Sequence, residues 1–288
     1  MTPTLRAALW MIGAIVSFTS MAVAGRAVSS TLDTFEIMLF RSLVGIALVL
    51  AVGGLSGTLG QIRTDRLRLH GLRNLAHFAG QNLWFYALTA IPLAQVFALE
   101  FTSPVWAILL APLVLGERLT RIGLLAALAG FAGVLIVARP DPAALDPGLV
   151  AAALAAVGFA LSALFTRRLT RDQSITCILF WLVVMQAAFG LVCAGYDGDI
   201  ALPDGAALPW LVLISVAGLV AHFCLTTALS LAPAATVMPI DFVRLPLIAV
   251  VGALVYGEAL DPLVLVGGAV IVGANWMNLR LSAPATKM

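Results

Sequence analysis

The sequence predicts an all-α polytopic membrane protein of ten transmembrane helices, and three observations predict it. Of its 288 residues, 62% are hydrophobic and only 10% charged, with a mean hydropathy of +1.07; soluble domains carry about 45–50% apolar and about 25% charged residues. Apolar stretches of roughly 20 residues, the length that crosses a hydrocarbon layer of about 30 Å, recur along the whole chain. None alternates as a strand does, and lipid offers the backbone no hydrogen-bond partners, so each span must close its bonds within a helix.

The spans centre near residues 17, 44, 78, 104, 129, 158, 184, 219, 245 and 271. The first imitates a secretory signal, with Arg6, an apolar run and then Ala22-Val23-Ala24, and is expected to stay uncleaved. The second carries Arg41 inside its apolar run. The third bears a polar stripe, Asn74, His77 and Gln81, continued by Trp84 and Phe85 at helical spacing. The fourth holds Glu100 among Ala98, Leu99, Phe101, Pro104 and Trp106. In the fifth, Gly123, Ala126, Gly130 and Gly133 form a small-residue series of the kind that lets helices approach closely. The seventh and eighth contain Cys177, Cys193 and Cys224, whose spacing suits neither a disulfide nor a zinc site, so packing accounts for them. His222 lies in the eighth, Asp241 and Arg244 in the ninth.

The loops set the topology. Arg6, Arg63, Arg66, Arg68, Arg73, Arg118, Arg121, Arg167, Arg168, Arg171, Arg280 and Lys287 all fall on one side of a ten-span chain. The other side receives only Arg26 and Arg139, with Asp141, Asp146, Asp197, Asp199 and Asp204. Basic loops stay cytoplasmic, so both termini are expected inside. The clusters read as topology signals and not as nucleic-acid or anionic-lipid sites. Lys287 is the only lysine, which excludes a phosphate-binding loop and ATP-driven transport. His77 and His222 lack the nucleophile or metal-ligand spacing an intramembrane enzyme needs, so no catalytic residue, metal or cofactor is expected.

The chain repeats itself at an offset of 141 residues. Pro92 matches Pro233, Glu100 matches Asp241, Phe101 matches Phe242, and Gly116-Glu117 matches Gly257-Glu258. The same register pairs Gln81 with His222. A five-helix unit is odd in number, so its second copy enters the membrane from the opposite face, the inverted arrangement of secondary transporters. The expected units are 1–141 and 142–288. Two departures break the symmetry: Ser103 is replaced by Arg244, and the proline moves from Pro104 to Pro246.

The segments "YALTAIPLAQVFALEFTSPVWAILLAPLVLGERLT" (86–120) and "TALSLAPAATVMPIDFVRLPLIAVVGALVYGEALD" (227–261) resemble the paired domains of the drug/metabolite transporter superfamily, EamA type. The resemblance covers essentially the whole chain. It implies two inverted units and a central cavity bounded mainly by helices 1, 3, 4, 6, 8 and 9, with alternating access in a bacterial inner membrane. The family's amino-acid exporters, of the YddG kind, are the members it suggests.

Charges within lipid cost roughly 2.5–3.5 kcal/mol each on insertion scales and so face a cavity or a partner. Glu100 and Arg41 lie at similar depth, which permits a structural ion pair between the second and fourth spans; the alternative is a substrate-ammonium or proton site at Glu100. Asp241 and Arg244, three residues apart, share a helical face and can neutralise each other, or Arg244 can meet a substrate carboxylate. His77, Gln81 and His222 read either as satisfied core groups or as cavity lining, and Trp84 and Trp106 as packing or as stacking surfaces. Gly116 and Gly257 suit helix stops, and the acids after them, Glu117 and Glu258, are expected to cap the helix that follows. The functional expectation is export of amino acids or similar small metabolites through the bilayer, the small molecule being the partner. Uptake of a vitamin or nucleoside-like metabolite is the alternative, with direction, proton coupling and oligomeric state left open.

Overall fold

A computed structural model describes residues 3–116, 119, 121–139, 146–196, 198–231, 240–241 and 243–282. Glu117, Arg118, Asp141, Asp197, Pro233, Phe242 and Lys287, each used above, lie outside the described residues. Within them the chain is helical, without strands: α1 (Pro3–Val28), α2 (Thr34–Leu55), α3 (Leu67–Ala90), α4 (Leu93–Glu100), α5 (Ser103–Leu115), α6 (Arg121–Ala138), α7 (Pro147–Leu169), α8 (Ile175–Ala194), α9 (Ala207–Leu231), α10 (Arg244–Tyr256) and α11 (Pro262–Ser282), with a short 3₁₀ turn at Leu59–Gln61.

Among the described residues, six apolar stretches are long enough to cross a membrane: Leu5–Val28, Thr34–Leu55, Leu93–Leu115, Pro147–Leu169, Ile175–Ala194 and Ala207–Leu225. The segments in α6, α10 and α11 are apolar but shorter. α3 has the length, but His70, Arg73, Asn74, His77, Gln81 and Asn82 lower its hydropathy. All six are buried in the protein, as polar groups on a membrane helix must be.

Local chemistry fixes several helix starts. The Asp33 carboxylate accepts the Glu36 amide while Glu36 reaches back to the Asp33 amide, a reciprocal capping box. Asp146 accepts from Gly148 N, with Pro147 in the first turn, and Ser174 accepts from Cys177 N. Asp261 starts α11: the Leu263 amide first, then the Arg139 guanidinium, hold its carboxyl below the usual aspartate range.

The fourth span is two helices, α4 and α5, and the break has a covalent cause. Pro104 has no N–H to give the carbonyl four residues back, and its ring crowds that carbonyl. The carbonyl belongs to Glu100, and the Ser103 hydroxyl donates to it at 2.6 Å. Asn275 of α11 donates to the Phe101 carbonyl at 2.8 Å, and the Thr102 hydroxyl to that of Leu99 at 2.7 Å. A broken helix at membrane depth is tolerated where its freed carbonyls find such partners. α10 begins at Arg244, 141 positions after α5 begins at Ser103, and each helix runs 13 residues. Each stops at a glycine in the left-handed region, Gly116 at φ 71° and Gly257 at φ 66°, where a Cβ would be strained.

Extensive packing joins α1 to α9, α3 to α7, α6 to α11 and α2 to α8. Three of these seams close over glycine. A methyl on Gly158 of α7 would stand 2.8 Å from Gly80 Cα and 2.9 Å from the Ala76 carbonyl of α3. One on Gly190 of α8 would stand 2.9 Å from the Leu39 backbone of α2, and one on Gly133 of α6 would stand 2.8 Å from the Gly267 carbonyl of α11. Close packing takes the place of hydrophobic drive between helices in lipid. Gly158→Val is expected to cost about 1–3 kcal/mol through overpacking, whereas Gly71→Ala, with nothing within 4 Å of the added carbon, should not destabilise. Thermal unfolding of the two variants in detergent, showing a clear loss for the first only, checks this.

Candidate functional site

Glu100 closes α4 and Arg244 opens α10, so the two helix breaks bring their charges together. Arg244 Nη2 donates to Glu100 Oε1 at 3.1 Å and to Asp241 Oδ2 at 2.9 Å. The other Glu100 oxygen accepts the Trp84 indole N–H of α3 at 2.8 Å. Three rings surround the guanidinium: its carbon lies 4.8 Å from the Phe18 centroid, 5.0 Å from Phe97 and 5.2 Å from Phe101. Arg244 is 4% exposed. Rings at these distances attract a cation through their electron-rich faces, so the charge is met from two sides by carboxylates and elsewhere by aromatic surface.

The site has polar capacity left over. Arg244 Nε and Asp241 Oδ1 are buried without a hydrogen-bond partner, and one guanidinium balances only one of the two carboxylates when both are ionised.

Phe18 of α1 links this cluster to a second one. Its ring meets His222 of α9 edge-on, with centroids 5.8 Å apart, and His222 meets His77 of α3 at 5.9 Å. His77 is 5% exposed, and its Nε2 has no hydrogen-bond partner among the described residues. Gln81, one turn further along α3, is 3% exposed. Trp84, Glu100, Asp241 and Arg244 are thus in direct contact, and His77 with His222 stands beyond Phe18. Trp106 is elsewhere: its ring packs edge-on against Phe131 of α6 at 4.9 Å.

Two expectations are corrected. Glu100 does not pair with Arg41. α2 packs on α8 and α9, which turns Arg41 toward Gly218 of α9, where a methyl would stand 3.1 Å from Arg41 Nη2; its hydrogen-bond partner is Met38 Sδ at 3.6 Å. Equal depth was satisfied by the wrong neighbour. Glu258 does not cap the helix that follows it. Its Oε2 accepts the Leu93 amide at the start of α4 at 2.9 Å, and its Oε1 pairs with Arg26 of α1. Arg26 also donates to the carbonyls of Leu88 and Ile91, and the Tyr256 hydroxyl donates to the Val23 carbonyl at 3.1 Å. This knot joins α1, the α3–α4 turn and the α10–α11 turn at one end of the bundle. The opposite end carries the exposed pair Arg66–Asp172.

Phe18 and Phe97 carry no signal in the sequence, since phenylalanine is ordinary in an apolar run, and Phe101 stands out there only through its match with Phe242 and not as a neighbour of Arg244. Asn275 is legible as the first amide to interrupt the apolar run of the tenth span, three residues before Asn278.

The model of the EamA-like transporter family matches residues 5–139 and again 146–280. A riboflavin transporter of Rhizobium johnstonii is 31% identical over 281 residues, covering 95% of this chain and 90% of that one. One from Brucella anthropi is 33% identical over 223 residues, 76% of this chain and 78% of its own. An S-adenosylmethionine uptake transporter of Rickettsia felis is 24% identical over 266 residues, 92% and 90% of the two chains. A solved crystal structure shares the fold at a TM-score of 0.67 and 21% identity, covering 98% of this chain and 99% of its own.

Removing one member of a buried ion pair costs about 3–5 kcal/mol because the other is left uncompensated. Arg244→Gln is expected to fall in that range, and Glu100→Gln combined with it to be non-additive by about 0.5–3 kcal/mol. Glu100→Gln with Arg41→Gln should instead add within about 0.5 kcal/mol. Two double-mutant cycles on thermal unfolding decide between the partners.

Proposed function

The chain belongs to the EamA-like transporter family, and on that premise we propose that it moves a flavin- or nucleoside-like metabolite across the bacterial inner membrane by alternating access. As a member of that family it is a transporter and not an enzyme. The moving parts of the proposal are two inverted five-helix units, 1–141 and 142–288, with both termini cytoplasmic. The packing supports this: exchanging the units turns the α1–α9 seam into the α7–α3 seam and leaves the α2–α8 and α6–α11 seams paired with themselves. The shared offset of the helix starts at Ser103 and Arg244 supports it as well.

The observation that carries the substrate reading is the state of Arg244. Two of the protein's own carboxylates already neutralise it, so an amino-acid carboxylate would set a third negative charge against one guanidinium, and amino-acid export loses its anchor. Buried aromatic surface from Phe18, Trp84, Phe97 and Phe101, with the amide and imidazole groups of Gln81, His77 and His222, suits a flat heterocycle with hydrogen-bonding edges. The relatives named for riboflavin and S-adenosylmethionine favour the same class. In this reading His77, Gln81, Trp84, Glu100, His222, Asp241 and Arg244 line the substrate path, and Trp106 sits at its margin. The carboxylate in excess of Arg244 is where a coupling proton or a substrate cation would be held.

The Arg26–Glu258 knot serves as the outer gate, since with cytoplasmic termini it lies at the outer end and spans both units. Glu258→Gln keeps the shape but removes the charge pairing, and is expected to raise the reaction of a cysteine placed at position 97 with a membrane-impermeant reagent added outside. Unchanged labelling would remove the gate from the mechanism.

Counterflow in liposomes tests the substrate. Protein loaded with riboflavin should exchange labelled riboflavin, and Trp84→Ala should lower that flux at least about tenfold, on the scale of a buried aromatic contact worth 1.4 kcal/mol or more. Flux of an amino acid with none of riboflavin would overturn the reading in favour of export; flux of S-adenosylmethionine alone would move it to that substrate.

A further inference from the structure

Away from the Arg244 cluster, α2, α8 and α9 enclose a cavity of about 20 Å³, lined by Arg41, Ser42, Gln186, Ser215, Gly218 and His222 among others. That volume exceeds the roughly 10–15 Å³ a water needs. Its chemistry is unbalanced in a particular way. Arg41 brings five N–H donors, yet among the described residues its hydrogen-bond partner is a thioether, Met38 Sδ at 3.6 Å, a weak acceptor. No carboxylate pairs with it among those residues. Gln186 is 2% exposed. Its amide nitrogen is committed to the Asn74 carbonyl at 2.9 Å, which turns Oε1 into an acceptor, and that oxygen is buried with no donor. The serines cannot supply one, because Ser42 gives its proton to the Met38 carbonyl at 2.6 Å and Ser215 gives its own to the Leu211 carbonyl at 2.7 Å.

The cavity therefore offers surplus donors from one wall and a stranded acceptor from the other. An inorganic anion would satisfy Arg41 but place acceptor against acceptor at Gln186. A cation would do the reverse. The group that answers both presents a carbonyl oxygen beside an N–H, the edge of an amide or imide. His222 lines this cavity and also touches His77 and Phe18, so one side chain borders both the cavity and the aromatic site.

We propose that Arg41 and Gln186 form the subsite that selects the substrate, with the guanidinium donating to a ring carbonyl and Gln186 Oε1 accepting the adjacent ring N–H of an imide-bearing heterocycle. Water occupies the cavity between transport events, accepting from Arg41 and donating to Gln186, and the incoming edge displaces it with the same bonding pattern. This rests on the flavin- or nucleoside-like reading above. Sites built to bond a substrate N–H or O–H reject analogues lacking it far more strongly than apolar pockets reject a missing methylene, because the buried protein group is left unpaired.

The test compares riboflavin with its 3-methyl derivative, whose imide nitrogen carries no proton, in equilibrium binding and liposome counterflow. Wild-type protein should favour riboflavin by at least about tenfold. Gln186→Met, which fills the same space without the acceptor, should weaken riboflavin and bring the ratio toward one. Arg41→Lys, keeping the charge but not the fork, should weaken both ligands while retaining discrimination. Equal handling of the two flavins by wild-type protein overturns the subsite and needs no variant to fold. A Gln186→Met protein that is folded by thermal unfolding and still discriminates overturns the role of Gln186. Neither flavin bound, with some other solute carried, overturns the substrate reading and this subsite with it, an outcome distinct from loss of discrimination alone.

Discussion

A guanidinium withdrawn from water is the constraint around which the centre of this protein is arranged. Burying Arg244 without compensation would cost several kcal/mol in low-dielectric surroundings. Its compensation comes from two carboxylates, Glu100 and Asp241, and three aromatic faces. Glu100 can reach it only because α4 stops where it does. The stop follows from Pro104, and the carbonyls it exposes are occupied by Ser103, Thr102 and Asn275. One proline, one asparagine from the last helix and one indole from α3 are thus parts of a single electrostatic arrangement.

Around that centre, the bundle is held by two kinds of contact, close glycine seams along its length and polar bonds at its ends. The α3–α7, α2–α8 and α6–α11 seams close backbone on backbone over glycines, which leaves no room for sliding without loss of contact. The ends are joined by polar knots. Arg26 and Glu258 hold α1, α4 and the α10–α11 turn through charge-assisted bonds to side chains and backbone alike. Such bonds are directional and exchangeable for bonds to water, whereas the contacts of the glycine seams are not. All three glycine seams join a helix of the first half of the chain to one of the second, so the halves are held together along these lines as well as at the ends.

The two polar regions inside the bundle divide their chemistry. The Arg244 cluster neutralises itself and offers rings; the Arg41 cavity does not neutralise itself and offers unfilled hydrogen-bonding capacity. A flat ligand needs both a surface to lie on and an edge to be read, and Phe18 with His222 connects the two.

Composition and periodicity alone determined that this chain is helical and embedded in lipid, because runs of that apolarity have no other way to satisfy their backbone. The offset of 141 residues also located the glycine stops of α5 and α10, which the structure repeats, though not the helix starts at Ser103 and Arg244. Pairing of Asp241 with Arg244 was legible because three residues along a helix is a local distance. The partner of Glu100 was not. Sequence gives depth along a helix axis, one coordinate of three, and Arg41 matched Glu100 in that coordinate only. The direction each helix faces, and which helix it meets, depend on packing; spans that are apolar on every side carry little amphipathic signal from which to read it. The same reason placed Trp106 against Phe131 and sent Glu258 across the bundle to α4. Tertiary structure made those choices because the energy separating them lies in contacts between helices, which no periodicity within one helix records.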